Sequence, residues 1–235
     1  MKLDIKNFDN FGGCDIEEKD KPKHFLLPVQ PARILICGPS GCGKTNLLLN
    51  LIFKFLKFDR IYIYSKHIEQ QKYRDLVTFF EDLQEQVLEE TGDDTPILFT
   101  GTCLEDIVDV GDLDSSMKNL IVIDDFVTEK DQKVISDLFV RGRHKNATVM
   151  YLSQSYFMVP RPIRLNCSQL TIFNVDNRKE LSLLYNELGT DVDKERFFEM
   201  YNKAVENDYS FFYIDRSSKF KPAKYRRNFD ELFSD

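Results

Sequence analysis

Gly38-Pro39-Ser40-Gly41-Cys42-Gly43-Lys44-Thr45 decides how the rest of the chain is read. Gly38 and Gly43 bracket four residues, and Lys44-Thr45 follow at once, which is the pattern of a phosphate-binding loop. Ahead of it, Arg33-Ile34-Leu35-Ile36-Cys37 is short and apolar and reads as a buried strand. Behind it, Asn46-Leu47-Leu48-Leu49-Asn50-Leu51-Ile52-Phe53 reads as an apolar helix. Strand, glycine-rich turn and helix together are the setting in which the motif has chemical meaning.

Gly38, Gly41 and Gly43 can take backbone angles that other residues avoid. The amide N–H groups of the loop then converge on an anion at a helix N-terminus, whose dipole also favours negative charge. Gly38, Pro39, Ser40, Gly41, Cys42, Gly43, Lys44, Thr45 and Asn46 are therefore the expected nucleotide-binding residues. Lys44 is expected to reach the β- and γ-phosphates, and the Thr45 hydroxyl to ligate Mg²⁺.

With 235 residues the chain can bury the core of one large α/β domain. No apolar run approaches the roughly 18 residues of a membrane span. Met1-Lys2-Leu3-Asp4-Ile5 lacks the apolar core of a signal peptide. Five cysteines, at 14, 37, 42, 103 and 167, show neither paired nor metal-ligand spacing, which suggests a reducing compartment. The net charge of −7 excludes a polycation that coats nucleic acid, so contact with DNA must come from local basic patches.

Residues 1–24 are polar and read as an extended or partly mobile arm, and 25–235 as the domain. Ile61-Tyr62-Ile63-Tyr64 is the next strand. A helix is expected from Ile68 to about Glu89, with Tyr73, Leu76, Phe79, Phe80 and Leu83 near helical spacing. Asn119-Leu120-Ile121-Val122-Ile123-Asp124-Asp125-Phe126 is a continuous apolar run ending in acids, the form of a Walker B strand buried on both faces. Its carboxyl end should lie beside the phosphate loop. Asp124 is then expected to hold Mg²⁺ through water and Asp125 to orient and deprotonate the attacking water. The alternative for each aspartate is a helix N-cap or turn residue.

After a helix from about Lys130 to Val140 and the basic run Arg141-Gly142-Arg143-His144-Lys145 comes another strand, Ala147 to Ser153, followed by Gln154. Such a strand directly after Walker B marks P-loop ATPases with an added central strand, lodged between the P-loop and Walker B strands. Gln154 would there face the γ-phosphate or lytic water as a sensor; otherwise it is a polar strand end. Residues 158–166 read as a Pro-punctuated connection, 170–173 as a strand, 178–188 and 193–204 as helices, and 211–215 as a late strand. The tail from Arg216 to Arg227 is basic, either a solvated edge or a contact for phosphate backbones. The expected fold is α/β, a single-domain P-loop NTPase of the ASCE/RecA-like kind, with a mainly parallel central sheet flanked by helices.

These segments resemble the FtsK–HerA superfamily, and within it the DNA-packaging ATPases of large eukaryotic DNA viruses, virophages and Polinton-type elements. The resemblance runs from about residue 25 to the C-terminus. It is carried by the P-loop, by Ile123-Asp124-Asp125-Phe126, and by the spacing from Arg141-Gly142-Arg143-His144-Lys145-Asn146 to Leu152-Ser153-Gln154-Ser155-Tyr156-Phe157. Ile163-Arg164-Leu165-Asn166 and Tyr225-Arg226-Arg227-Asn228-Phe229-Asp230 also match. It implies ATP-driven translocation of double-stranded DNA into a preformed capsid by a homo-oligomeric ring, a pentamer or hexamer. A capsid vertex or internal membrane component would be the partner, and the host cytoplasm or virus factory the place. It also implies an arginine finger in trans, Arg143 or Arg141, with Arg178 as a rival. The competing readings are a nucleoside or nucleotide kinase, which would need an arginine-rich lid, and an ATP-binding assembly subunit without sustained turnover. A GTPase is disfavoured, since no Asn-Lys-x-Asp motif is present.

Overall fold

The computed structural model describes residues 26, 28–175, 177–218 and 221–233. The expected arm at 1–24 lies outside the described residues. The strands are β1 (Arg33–Cys37), β2 (Arg60–Ser65), β3 (Leu98–Gly101), β4 (Asn119–Asp124), β5 (Ala147–Ser153), β6 (Gln169–Ile172), β7 (Phe212–Asp215), β8 (Tyr225–Arg227) and β9 (Glu231–Leu232). The helices are α1 (Lys44–Asn50), α2 (Gln71–Thr91), α3 (Lys133–Arg141), α4 (Arg161–Asn166), α5 (Arg178–Leu184) and α6 (Lys194–Ala204). Both α1 and α5 run on as π-helical turns, Leu51–Phe55 and Tyr185–Gly189.

Among the described residues the strands form one sheet in the order β3-β2-β4-β5-β1-β6-β7-β8-β9. β3 to β6 pair in parallel, and β7, β8 and β9 are added antiparallel. Each parallel pair needs a crossover, and the helices that supply the crossovers cover both faces. The strand period of two sorts the side chains. Ile34, Ile36, Ile61, Ile63, Leu120, Val122, Met150 and Leu152 pack under α1 and α2. Leu35, Cys37, Tyr62, Ile121, Ile123, Val149, Tyr151, Leu170 and Ile172 pack with α3, α5 and α6 on the other face. Continuous apolar runs result because both faces of each central strand are buried.

The expected placement of β5 holds. It lies between β1 and β4, with Leu35 opposite Tyr151 and Ile123 opposite Tyr151 from the other side. Three carboxyl ends, those of the P-loop, Walker B and Gln154 strands, therefore meet at one rim.

Two segments differ from the sequence reading. The connection expected at 158–166 contains α4, with Pro162 in its first turn, where a missing N–H costs nothing. The basic tail ends in a strand, Tyr225–Arg227, and its Arg216, Lys224 and Arg226 are tied into the fold rather than forming a solvated edge or a free cationic stripe. Arg226 is 1% exposed and donates to Asp215 Oδ2 at 3.0 Å and to the Leu26 and Phe229 carbonyls. Lys224 pairs with Asp191 at 2.7 Å, and Arg216 donates to the Leu165 and Cys167 carbonyls. Lys219 lies outside the described residues.

α4 also carries a buried ion pair. Arg164 donates to Glu187 through Nε and Nη2, at 2.9 and 2.8 Å, and Tyr156 Oη donates to Glu187 Oε2 at 2.7 Å. Burial pushes the Glu187 carboxyl up, but hydrogen bonds from Arg164 and Tyr156 outweigh it and hold the group below its ordinary value. The folded pKa is thus below the unfolded one, so this contribution is present at neutral pH and is lost as pH falls through the folded value. Arg164→Ala leaves Glu187 unpaired and is expected to cost about 3 kcal/mol. Urea unfolding at pH 7 checks this, and the deficit should shrink toward acid pH.

Candidate nucleotide-binding site

A cleft of about 780 Å³ opens at the carboxyl ends of β1, β4 and β5. Ser40, Gly41, Gly43, Lys44, Thr45 and Asn46 form its floor, with Asp124, Asp125 and Gln154 beside them. Gly41 and Gly43 stand at φ +77° and +105°, in the left-handed region where a side chain is strained. Gly38 is required for a different reason. A Cβ there would stand 2.6 Å from Phe173 Cβ and 2.7 Å from Cys42 Sγ. Lys44 Nζ donates to the Gly38 carbonyl at 2.7 Å and to the Pro39 carbonyl at 2.9 Å, so its charge is held over the loop. Of the residues expected to bind nucleotide, Gly38, Pro39 and Cys42 shape the loop rather than line the cleft.

Successive strand residues point to opposite faces, so two adjacent aspartates on β4 would ordinarily diverge. Asp125 instead takes φ +63° immediately after the strand. That left-handed step, tolerated by aspartate, turns the chain so that both carboxylates line one cleft. Each has a partner that the sequence reading missed. Tyr73 Oη, from α2, donates to Asp124 Oδ2 at 2.6 Å. His67 Nε2 lies 3.0 Å from Asp125 Oδ2. Tyr73 was legible as a core residue of a helix, and it is fully buried. Nothing in helical spacing reveals that its hydroxyl ends at the Walker B acid.

Burial raises the Asp124 carboxyl above its ordinary value, against the hydrogen bond from Tyr73 and the charge of Lys44. A raised folded pKa favours folding below the unfolded value and loses that contribution as pH rises through the folded one. A charge carried by Asp124 is accordingly a cost to the fold. Asp124→Asn removes the charge and keeps an acceptor for Tyr73. It should stabilise the nucleotide-free protein by about 1 kcal/mol, or roughly 2–4 °C in melting temperature at this size. Differential scanning calorimetry at pH 7.5 checks it.

Gln154 is exposed at the end of β5 and faces the cleft. The segment after it is tied to α5. Ser155 Oγ donates to Glu180, a buried carboxylate that also accepts the Phe157 amide at 3.2 Å. The Arg164–Glu187 pair fastens the same segment further along, in α4.

The arginines divide between the two rims. Arg141 and Arg143 are exposed and precede β5, at the end of the sheet opposite the cleft. β5 spans seven residues, about 20 Å, so neither reaches the cleft of its own subunit. Burial, and after it the charge of Arg143, holds the guanidinium of Arg33, at the start of β1, below its ordinary value. Arg178 opens α5 on the cleft side of the sheet but does not line the cleft. Arg227, Asn228, Asp230 and the turn Asn207–Ser210 complete the wall. These last residues lie far from the P-loop in sequence, and only the antiparallel return of β7 and β8 brings them in. Among the described residues no helix is long and apolar enough to cross a membrane.

No curated protein matches the sequence. Solved structures do match the fold. The genome packaging NTPase B204 of Sulfolobus turreted icosahedral virus 2, in complex with sulfate, aligns at a TM-score of 0.57 and 11% identity, over 87% of this chain and 98% of that one. B204 described as the DNA-packaging ATPase of Sulfolobus turreted icosahedral virus aligns at 0.54 and 14%, over 81% and 95%. The pCW3 conjugation coupling protein TcpA aligns at 0.50 and 13%, over 93% and 69%. At these identities the likeness establishes a shared P-loop NTPase fold. The family model of the Poxvirus A32 protein matches residues 22–229, nearly the whole chain. With the added strand, the paired acids and the phosphate loop all in register, the chain belongs to the Poxvirus A32 protein family.

Proposed function

We propose that the protein is an ATP-hydrolysing motor that moves double-stranded DNA into a viral capsid. The observation that carries this reading is the meeting of Lys44, Thr45, Asp124, Asp125 and Gln154 in one cleft, with β5 lodged between β1 and β4. Family membership and the genome packaging described for B204 support the DNA substrate.

The amides of Ser40 to Thr45 bind the phosphates, and Lys44 swings from the loop carbonyls to neutralise the γ-phosphate. The Thr45 hydroxyl and Asp124 carboxylate are hard oxygen donors on one wall, a set that fits Mg²⁺ with its retained waters. When bound, the ion supplies charge neutralisation across the β- and γ-phosphates. Asp125 accepts a proton from the attacking water, and its contact with His67 fixes the carboxylate's direction. Gln154 senses the γ-phosphate and passes its loss through Ser155 and Glu180 to α5. Because Arg141 and Arg143 sit on the far rim, a finger role for either requires a neighbouring subunit, so hydrolysis depends on a ring. Basic residues of the far rim and of loops grip the DNA backbone without reading sequence, in a manner weakened by salt. The setting is the host cytoplasm or virus factory, with a capsid vertex or an internal membrane component as the docking partner.

The test is the rate of phosphate release from ATP with and without duplex DNA, against nucleosides as acceptors, over a range of protein concentrations. The motor reading expects release that rises with both DNA and protein concentration. Phosphoryl transfer to a nucleoside instead would replace it with a kinase.

A further inference from the structure

The mouth of the cleft holds a residue that the fold alone does not explain. Tyr209 stands at φ +62°, a region that bulky residues avoid. Its turn is closed by Ser210, whose amide and hydroxyl both donate to the Asn207 carbonyl, at 3.1 and 2.6 Å. Glycine or asparagine would serve that turn without strain. The residue is 72% exposed, so burial does not reward it either. Yet the ring lies against the phosphate loop: its Cδ1 is 3.3 Å from the point a Cβ on Gly43 would occupy. Strain in the backbone, an aromatic face in solvent and contact with the loop coincide at one position. Such coincidences gather where a ligand is held.

We propose that Tyr209 is the platform on which the nucleobase stacks, a subsite distinct from the phosphate cradle. The inference rests on the reading of the cleft as a nucleoside triphosphate site. The loop would fix the phosphates at the start of α1, and the ring stands at the loop's shoulder in the cleft that Arg227 and Asn228 also line. A flat π-face accepts any base, so the ligand class is nucleoside triphosphates generally, with purines favoured over pyrimidines by their larger face. Selectivity for adenine over guanine is accordingly small.

The experiment titrates the full-length protein with a non-hydrolysable ATP analogue and, separately, with inorganic tripolyphosphate, both with Mg²⁺, using calorimetry. Tyr209→Gly should weaken the analogue by about 5- to 100-fold, the range of base–aromatic stacking. Tripolyphosphate should bind as it does to the native chain, because it has no base. Melting temperature should hold or rise, since glycine relieves the left-handed turn. Tyr209→Phe should bind the analogue as the native chain does. Native affinity for the analogue in Tyr209→Gly overturns the platform while leaving the triphosphate site standing. Equal loss of analogue and tripolyphosphate in Tyr209→Gly also overturns it, by showing that the turn shapes the loop. Loss in Tyr209→Phe assigns the effect to the hydroxyl and overturns the stacking. Failure of the native chain to bind either ligand brings down the triphosphate site and the platform together.

Discussion

Lys44→Ala is expected to lower ATP turnover by at least about 10²–10³, to the limit of detection in an ordinary phosphate-release assay. A single preorganised donor aimed at developing charge is worth roughly this much, and an ammonium on a transferring phosphoryl group is a strong case. The structure adds a second consequence. Lys44 Nζ bridges the Gly38 and Pro39 carbonyls, so its removal also frees two acceptors of the loop. Affinity for nucleotide should fall together with turnover, as seen by calorimetric titration. The fold itself should survive, because Lys44 is only part-buried and contributes nothing to either hydrophobic cluster. A Lys44→Ala protein that melts as the native one but still hydrolyses ATP at the native rate would contradict the assignment of the loop.

Arg143→Ala is expected to spare nucleotide affinity and to remove the part of turnover that rises with protein concentration. The size of that part is about 10³–10⁵, the contribution of an arginine finger. Arg143 is exposed, precedes β5 and stands about 20 Å of strand away from Gln154. It therefore cannot act on the cleft of its own chain. Mixing two inactive proteins makes the test sharp. Lys44→Ala keeps a working finger, and Arg143→Ala keeps a working cleft. In the proposed ring, mixed assembly would set some Arg143→Ala clefts against a Lys44→Ala neighbour, so activity should reappear on mixing. If it does not, while Arg178→Ala abolishes turnover, the finger belongs to the start of α5.

The catalytic rim was legible in sequence because its parts are local and their spacing is fixed by mechanism. A loop from Gly38 to Thr45 must follow one strand and open one helix, and a run from Leu120 to Ile123 ending in acids must be a strand buried on both faces. The position of β5 between β1 and β4 followed from its place after Walker B, and the register bears this out. What escaped was non-local. The wall formed by Asn207–Ser210 and Arg227–Asn228 depends on β7 and β8 turning back antiparallel, and no period in the sequence announces that. Charge misled at the tail for a related reason. Arg216, Lys224 and Arg226 look alike on paper, but each is spent on a carbonyl or carboxylate within the fold. Tyr73 is the subtler case: helical spacing fixed its burial, while its bond to Asp124 required the angle at which α2 crosses the sheet.

Steady-state phosphate release from ATP by the full-length protein, measured across protein concentration with and without duplex DNA, is the most direct test of the motor. The expected result is turnover that grows faster than linearly with protein, rises further with DNA of any sequence, and vanishes in Lys44→Ala. Release that is strictly proportional to protein, indifferent to DNA and unchanged in Lys44→Ala would show that this cleft is not the engine.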